Sequence, residues 1–124
     1  MSYKQLHCGK RADIKAYVDD EGKCLAQEFL SKLPENELKA IHFLFRKFAE
    51  LGMIHDENRF RHEVGPIYEF KHIKGARICC FFLRNDQKKT IVLTHGFKKP
   101  TKKVQRKEIE RALRIYEEIS AHPN

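Results

Sequence analysis

Apolar residues recur along the chain in two rhythms, and the switch between them divides it. From Ala12 to Val18, Ile14, Ala16 and Val18 alternate with Asp13, Lys15 and Tyr17, which predicts a strand ending at the turn formers Asp19, Asp20 and Gly22. From Cys24 to Leu33 the apolar positions Leu25, Ala26, Phe29, Leu30 and Leu33 fall on one side of a helix. Pro34 suits the opening of a second helix, whose stripe of Leu38, Ile41, Leu44, Phe45, Phe48 and Leu51 runs to Gly52, a natural C-terminal stop. Two helices joined this closely form an antiparallel hairpin with a shared apolar face.

Beyond a loop around Asp56 to Asn58 the alternating rhythm returns. Ile67 to Ile73, Arg77 to Arg84 and Thr90 to Phe97 are predicted strands, with turns at Lys74-Gly75 and Asn85-Asp86. These connections are too short for crossovers, so the three strands form an antiparallel meander. Val104 to Ser120 then carries Ile109, Ala112, Leu113, Tyr116 and Ile119, a last amphipathic helix. The predicted order is β-αα-βββ-α, an α+β fold with a small antiparallel-rich sheet and helices packed on one face. A chain of 124 residues is expected to form a single domain, with 1–10 as an N-terminal extension and 121–124 as a frayed tail.

Strand parity sorts the chemistry. Tyr68, Phe70 and His72 fall on one side, expected to be the core side, and Glu69 and Lys71 on the other. Arg77 is the one charge ahead of the apolar run Ile78 to Leu83. A two-residue loop at Lys74-Gly75 would put Arg77 on the face away from Lys71, whereas a three-residue loop, Lys74 to Ala76, would put Arg77, Lys71 and Glu69 on one face. His95 is expected to share a face with Ile91 and Leu93, as a buried or half-buried imidazole. Cys79 and Cys80 point to opposite faces and cannot share a metal. The four cysteines show no C-x-x-C and the seven histidines no H-x-x-x-H, so no metal and no other cofactor is expected.

Composition adds a surface and a compartment. At 41% hydrophobic residues a core can be built, and 34% charged residues describe a wet exterior. No apolar run approaches the roughly 20 residues that cross a bilayer, and residues 1–11 hold no apolar stretch for a secretion signal, so a cytoplasmic protein without a membrane is expected. The net charge is +8, and it is uneven: between Phe70 and Lys107 stand twelve lysines and arginines against Asp86 alone. A field of one sign attracts polyanions, foremost nucleic acid. Lys98, Lys102, Lys103, Arg106 and Lys107, leaving the last strand and entering the last helix, suit phosphate contacts.

The phrases Ile67-Tyr68-Glu69-Phe70-Lys71, Gly75-Ala76-Arg77-Ile78, and His95-Gly96-Phe97 followed by Lys99, Lys103 and Glu108-Ile109-Glu110-Arg111-Ala112 resemble the pattern of RelE/HigB-type toxins of toxin–antitoxin systems and their phage-derived relatives. The similarity spans roughly Ile14 to Ile119. It implies a ribosome-dependent, metal-independent endoribonuclease that cuts mRNA by attack of a ribose 2′-hydroxyl on the neighbouring phosphate. It also implies a cognate antitoxin, usually of helix-turn-helix type, that holds the toxin silent. By motif position the catalytic candidates are Arg77, Lys71, Lys99 and His95, with Lys98, Lys102, Lys103, Arg106 and Lys107 binding RNA. Lys71 stands where the family most often has arginine, which keeps the charge and loses the bidentate fork. The alternative readings are a gyrase-directed or non-catalytic relative, or a basic RNA-binding module.

Overall fold

A computed structural model describes residues 1–83, 88–98 and 101–121. Its elements are β1 (Ser2–Cys8), β2 (Ala12–Val18), α1 (Leu25–Ser31), α2 (Glu35–Leu51), β3 (Phe60–Val64), β4 (Ile67–Lys71), β5 (Ala76–Leu83), β6 (Lys89–Lys98) and α3 (Lys102–Ala121). The six strands make one sheet in the order β1-β2-β6-β5-β4-β3, antiparallel at every step except the parallel pair of β2 with β6. The α+β class and the antiparallel meander stand as expected. Gly52 ends α2 in the left-handed conformation at φ 81°, its N–H reaching back to the Phe48 carbonyl.

Two strands join the predicted set. Residues 2–8, expected as part of an extension, form β1 at one edge, and Phe60–Val64 form β3 at the other. Both are edge strands with largely polar faces, so neither carries the strict alternation of a half-buried strand. Residues 122–124 of the expected tail lie outside the described residues.

The helices do not share one face. Leu30 of α1 with Ile41, Leu44, Phe45 and Phe48 of α2 cover Ile14, Phe70, Ile78, Cys80, Ile91 and Leu93. On the other side of the sheet, Ile109, Ala112, Ile115 and Ile119 of α3 cover Tyr17, Ile67, Cys79, Phe81 and Val92. The expectation of a one-sided sandwich is thereby corrected, for a physical reason. β5 and β6 are apolar at successive positions, Ile78-Cys79-Cys80-Phe81 and Ile91-Val92-Leu93, and a strand apolar on both sides needs cover on both. Cys79 and Cys80 do face opposite sides, each buried in its own layer.

Candidate functional site

The hairpin between β4 and β5 sets the site. His72 N–H donates to the Ala76 carbonyl, and Gly75 N–H donates to the His72 carbonyl, so the loop is Ile73, Lys74 and Gly75, with Gly75 at φ 108°. This is a third register, one residue earlier than the three-residue loop considered from sequence. It makes Arg77 the cross-strand partner of Lys71, and Cys79 the partner of Glu69. Partners in an antiparallel pair share a face, so Lys71, Arg77, Glu69 and Cys79 all lie on the side that α3 partly covers.

Lys71 and Arg77 open onto a depression of about 400 Å³ whose wall also holds Asp56, Asn58, Arg59, His72 and Ile73. The Arg77 guanidinium is fixed: its Nη1 donates to the carbonyls of His72 at 2.9 Å and Ala76 at 3.0 Å. Those two bonds use the Nη1 hydrogens and leave those on Nε and Nη2 for an anion. Lys71 N–H donates to the Arg59 carbonyl at 2.8 Å, tying the start of β3 to the end of β4. Asp56 folds its own turn, its Oδ1 accepting from Asn58 N–H at 2.9 Å. His72 Nδ1 accepts from Lys74 N–H at 3.1 Å, which puts the proton of the neutral ring on Nε2. Partial burial lowers the His72 pKa, so the ring is neutral at pH 7.

Beneath α3 a row of side chains crosses four strands through the pairings Arg61–Glu69, Glu69–Cys79 and Cys79–His95. Glu69 is fully buried. Loss of water raises its carboxyl to about 7, helped by the nearby Glu63 charge and opposed by Arg77 and Lys71. The Cys79 thiol sits 3.9 Å from Glu69 Oε2, and burial pushes its pKa far up, so it is no nucleophile in this state. His95 is 1% exposed, and its pKa falls to about 4 through burial and then the charges of Arg111 and Arg114. Its Nδ1 meets the Thr94 hydroxyl at 3.1 Å, while Nε2 stands 3.7 Å from Glu108 Oε2. That gap is too long for a hydrogen bond, and a neutral imidazole makes no ion pair across it.

The sequence expectation for His95 is corrected in its face and kept in its burial. Cys79 pairs with His95 but Cys80 pairs with Leu93, so Thr94 is an extra residue in β6, a β-bulge. The bulge breaks parity and turns His95 away from Ile91 and Leu93, toward α3. Thr94 satisfies the break by donating its hydroxyl to the Cys79 carbonyl at 3.3 Å.

The remaining sequence candidates separate. Lys99 lies outside the described residues. Lys98 partners Ala76, on the side of α1 and α2, and its Nζ donates to Glu37 Oε1 at 2.9 Å near the start of α2. Lys102, Lys103, Arg106 and Lys107 are exposed on the first turns of α3. Lys102 and Arg106 border a groove of about 550 Å³ with Val64, Ile109 and Leu113. Asp56 and Arg59 escaped the sequence reading, because Asp56 to Asn58 read only as a loop and β3 was not foreseen; His72, expected on the core side with Tyr68 and Phe70, is instead half-buried in the wall of the depression. Among the described residues, no group of three or more His, Cys, Asp or Glu side chains is placed to hold a metal ion, and no helix is long and apolar enough to cross a membrane.

A family model described as Phage derived protein Gp49-like (DUF891) matches residues 28–117, from within α1 to within α3. The match takes in Asp56, Lys71, Arg77 and His95, and leaves β1 and β2 outside. No curated protein and no solved structure matches the chain.

Proposed function

The chain belongs to the phage-derived Gp49-like family, and on that premise we propose that it is the toxin of a toxin–antitoxin pair, a ribosome-dependent endoribonuclease that cleaves mRNA. The family's relation to such toxins and the resemblance of the motifs support this reading. The observation that carries it is the pairing of Lys71 with Arg77 across the β4–β5 hairpin, both facing an open depression. Two cations on adjacent strands, one a guanidinium already oriented by backbone carbonyls, form a cradle for a phosphodiester.

In that cradle Arg77 stabilises the charge that grows on the phosphate as the 2′-oxygen attacks, and Lys71 and Arg59 position the strand. The new bond joins the 2′-oxygen to phosphorus, and the bond to the 5′-oxygen breaks, giving a 2′,3′-cyclic phosphate and a 5′-hydroxyl. A proton leaves the 2′-hydroxyl and one reaches the departing 5′-oxygen. Asp56 is the acidic side chain in the wall of the depression and accepts the proton of the 2′-hydroxyl; the proton that reaches the departing 5′-oxygen comes from the carboxylic acid so formed or from water, since a neutral His72 imidazole is too weak an acid to give it. The ribosome aligns the message, and a helix-turn-helix antitoxin silences the protein. A basic RNA-binding module without catalysis is the second reading, favoured by the burial of His95 away from the depression.

Induction of the chain without a partner, followed by mapping of message ends, tests the proposal. Growth arrest with messages cut only when translated, and a purified protein inert toward naked RNA, are expected. Efficient cutting of naked RNA, or intact messages despite arrest, overturns it.

A further inference from the structure

At the end of β5 and β6 farthest from Arg77, four cations from separate stretches of chain converge. The turn between β1 and β2 supplies Lys10 and Arg11, and the start of β6 supplies Lys88 and Lys89. With Gly52, at the C-terminal end of α2, they line a depression of about 510 Å³. The parallel pairing of Ala12 with Lys89 brings the two stretches side by side. The cluster is a product of the fold, and no single window of sequence contains it.

Two of the four cations are held in place. Lys88 Nζ meets Asp13 Oδ1 at 2.9 Å and donates to the Gly9 carbonyl at 2.8 Å. Lys89 Nζ donates to the Gly52 carbonyl at 2.7 Å and lies 5.8 Å from the centroid of the Phe82 ring. The rotamer freedom that a lysine ordinarily loses on gripping a ligand is thus already lost on folding. Lys10 and Arg11 are exposed and, among the described residues, their side chains form no ion pair. A structural role accounts for Lys89, since a cation complements the carbonyl end of a helix. It does not account for Lys10 and Arg11. Among the described residues, Asp13 pairs with one positive charge and the helix end offsets about half of another, which leaves at least two without an ion-pair partner.

We propose that this depression is a second RNA-backbone site, where Lys10 and Arg11, backed by Lys88 and Lys89, take the phosphates of a structured RNA. No large apolar side chain lines it, whereas the centre of a protein–protein interface is built on buried apolar and aromatic anchors. A pocket made of charge alone fits a phosphodiester chain better than an acidic protein. Lys89 and Phe97, the cross-strand partner of Arg77, are the near and far ends of the same strand, roughly 25 Å apart at about 3.3 Å per residue. Lys89 reaches Gly52 at the end of α2, on the face opposite the one that carries Arg77, so the depression is a separate site at the other end of the sheet. The site needs binding alone and does not rest on the cleavage reading.

Anisotropy of a fluorescein-labelled RNA hairpin, titrated with the full chain over a series of salt concentrations, tests this. Lys10→Gln with Arg11→Gln should weaken binding roughly tenfold and flatten the log–log salt slope by about 1.8, the value for two lost phosphate contacts. Both side chains are exposed, so the thermal melt should not move. Lys32→Gln with Lys47→Gln removes the same charge from exposed positions just past α1 and on α2 and should leave the slope nearly unchanged. Equal losses in the two double variants, or no loss in the first, overturn the proposal. So does tighter binding of a poly-glutamate peptide through Lys10 and Arg11, which would assign the pocket to an acidic protein. Arg77→Ala chain, whatever its cleavage, still reports on this site, so failure here and failure of the ribonuclease reading are distinguishable.

Discussion

His95 and Leu93 stand two residues apart on β6 and face opposite sides of the sheet, because Thr94 between them is a bulge. Regular pleating would have sent His95 under α1 and α2; the extra residue sends it under α3, into the row that also holds Glu69 and Cys79. One inserted residue therefore places an imidazole and a carboxyl in the same buried layer, one row of the sheet away from Lys71 and Arg77. The open cradle and the closed polar layer share a face, and Arg77 and Lys71 of the cradle oppose the rise that burial gives the Glu69 carboxyl.

Arg77→Ala should abolish toxicity with little loss of fold. The side chain is half-buried and its loss opens no cavity among apolar residues, so the cost is two hydrogen bonds to carbonyls, about 1 kcal/mol each. Removing a transition-state contact of this kind lowers a rate by about 10²-fold or more. Growth on induction, read beside a thermal melt, separates the two effects. A folded variant that still arrests growth would remove Arg77 from the chemistry.

Lys98→Ala should behave in the opposite way. Its ammonium is half exposed and is engaged by Glu37, a nearly buried carboxylate on the side of α2, so its removal leaves Glu37 without that partner and should lower stability modestly. RNA affinity should be unchanged, whereas Lys103→Ala on the exposed start of α3 should weaken it and lower the salt slope by about 1. Binding isotherms of the two variants at matched salt decide this, and a comparable loss in Lys98→Ala would return it to the RNA surface.

Gly96→Ala should destabilise the chain by about 1–3 kcal/mol, since a Cβ there would overlap the ring of Phe29, which packs directly on the glycine. The companion change Phe29→Ala should make room for the methyl, so the two costs should not add. Urea midpoints for the single variants and the double variant measure the coupling. Strict additivity would mean that α1 shifts freely and that contact with Gly96 does not fix its position.

The helices were legible because their apolar positions follow the helical period and Gly52 marks an end. The two edge strands were not, since Ser2–Cys8 and Phe60–Val64 present too few apolar side chains to set a rhythm. The site was legible in its cations and not in its assembly. Lys71 and Arg77 stand out as charges bordering apolar strands, but the loop that pairs them is decided by where Gly75 takes its positive φ. The bulge at Thr94 left no trace in the pattern, because Ile91, Val92 and Leu93 are all buried and a strand covered on both faces has no alternation to lose.

The two buried groups under α3 should oppose each other as pH changes. Glu69 keeps its proton in the folded chain up to about pH 7 but releases it near 4.5 when unfolded. Between those values the folded state binds more protons, so this contribution is complete below 4.5 and is lost as pH rises toward 7. His95 takes a proton near 6.5 when unfolded and only near 4 when folded, so its contribution is complete above 6.5 and is lost as pH falls toward 4. At about 1.4 kcal/mol per unit of displacement, each amounts to about 3 kcal/mol, and between 4.5 and 6.5 the slopes cancel. Unfolding in urea across this range should therefore show a nearly flat wild type. Glu69→Gln should grow more stable as pH rises from 4 to 6.5, and His95→Gln should grow less stable from 4.5 to 7. Parallel curves for all three chains would mean that α3 does not seal the layer, and that water reaches Glu69 and His95 in the folded state.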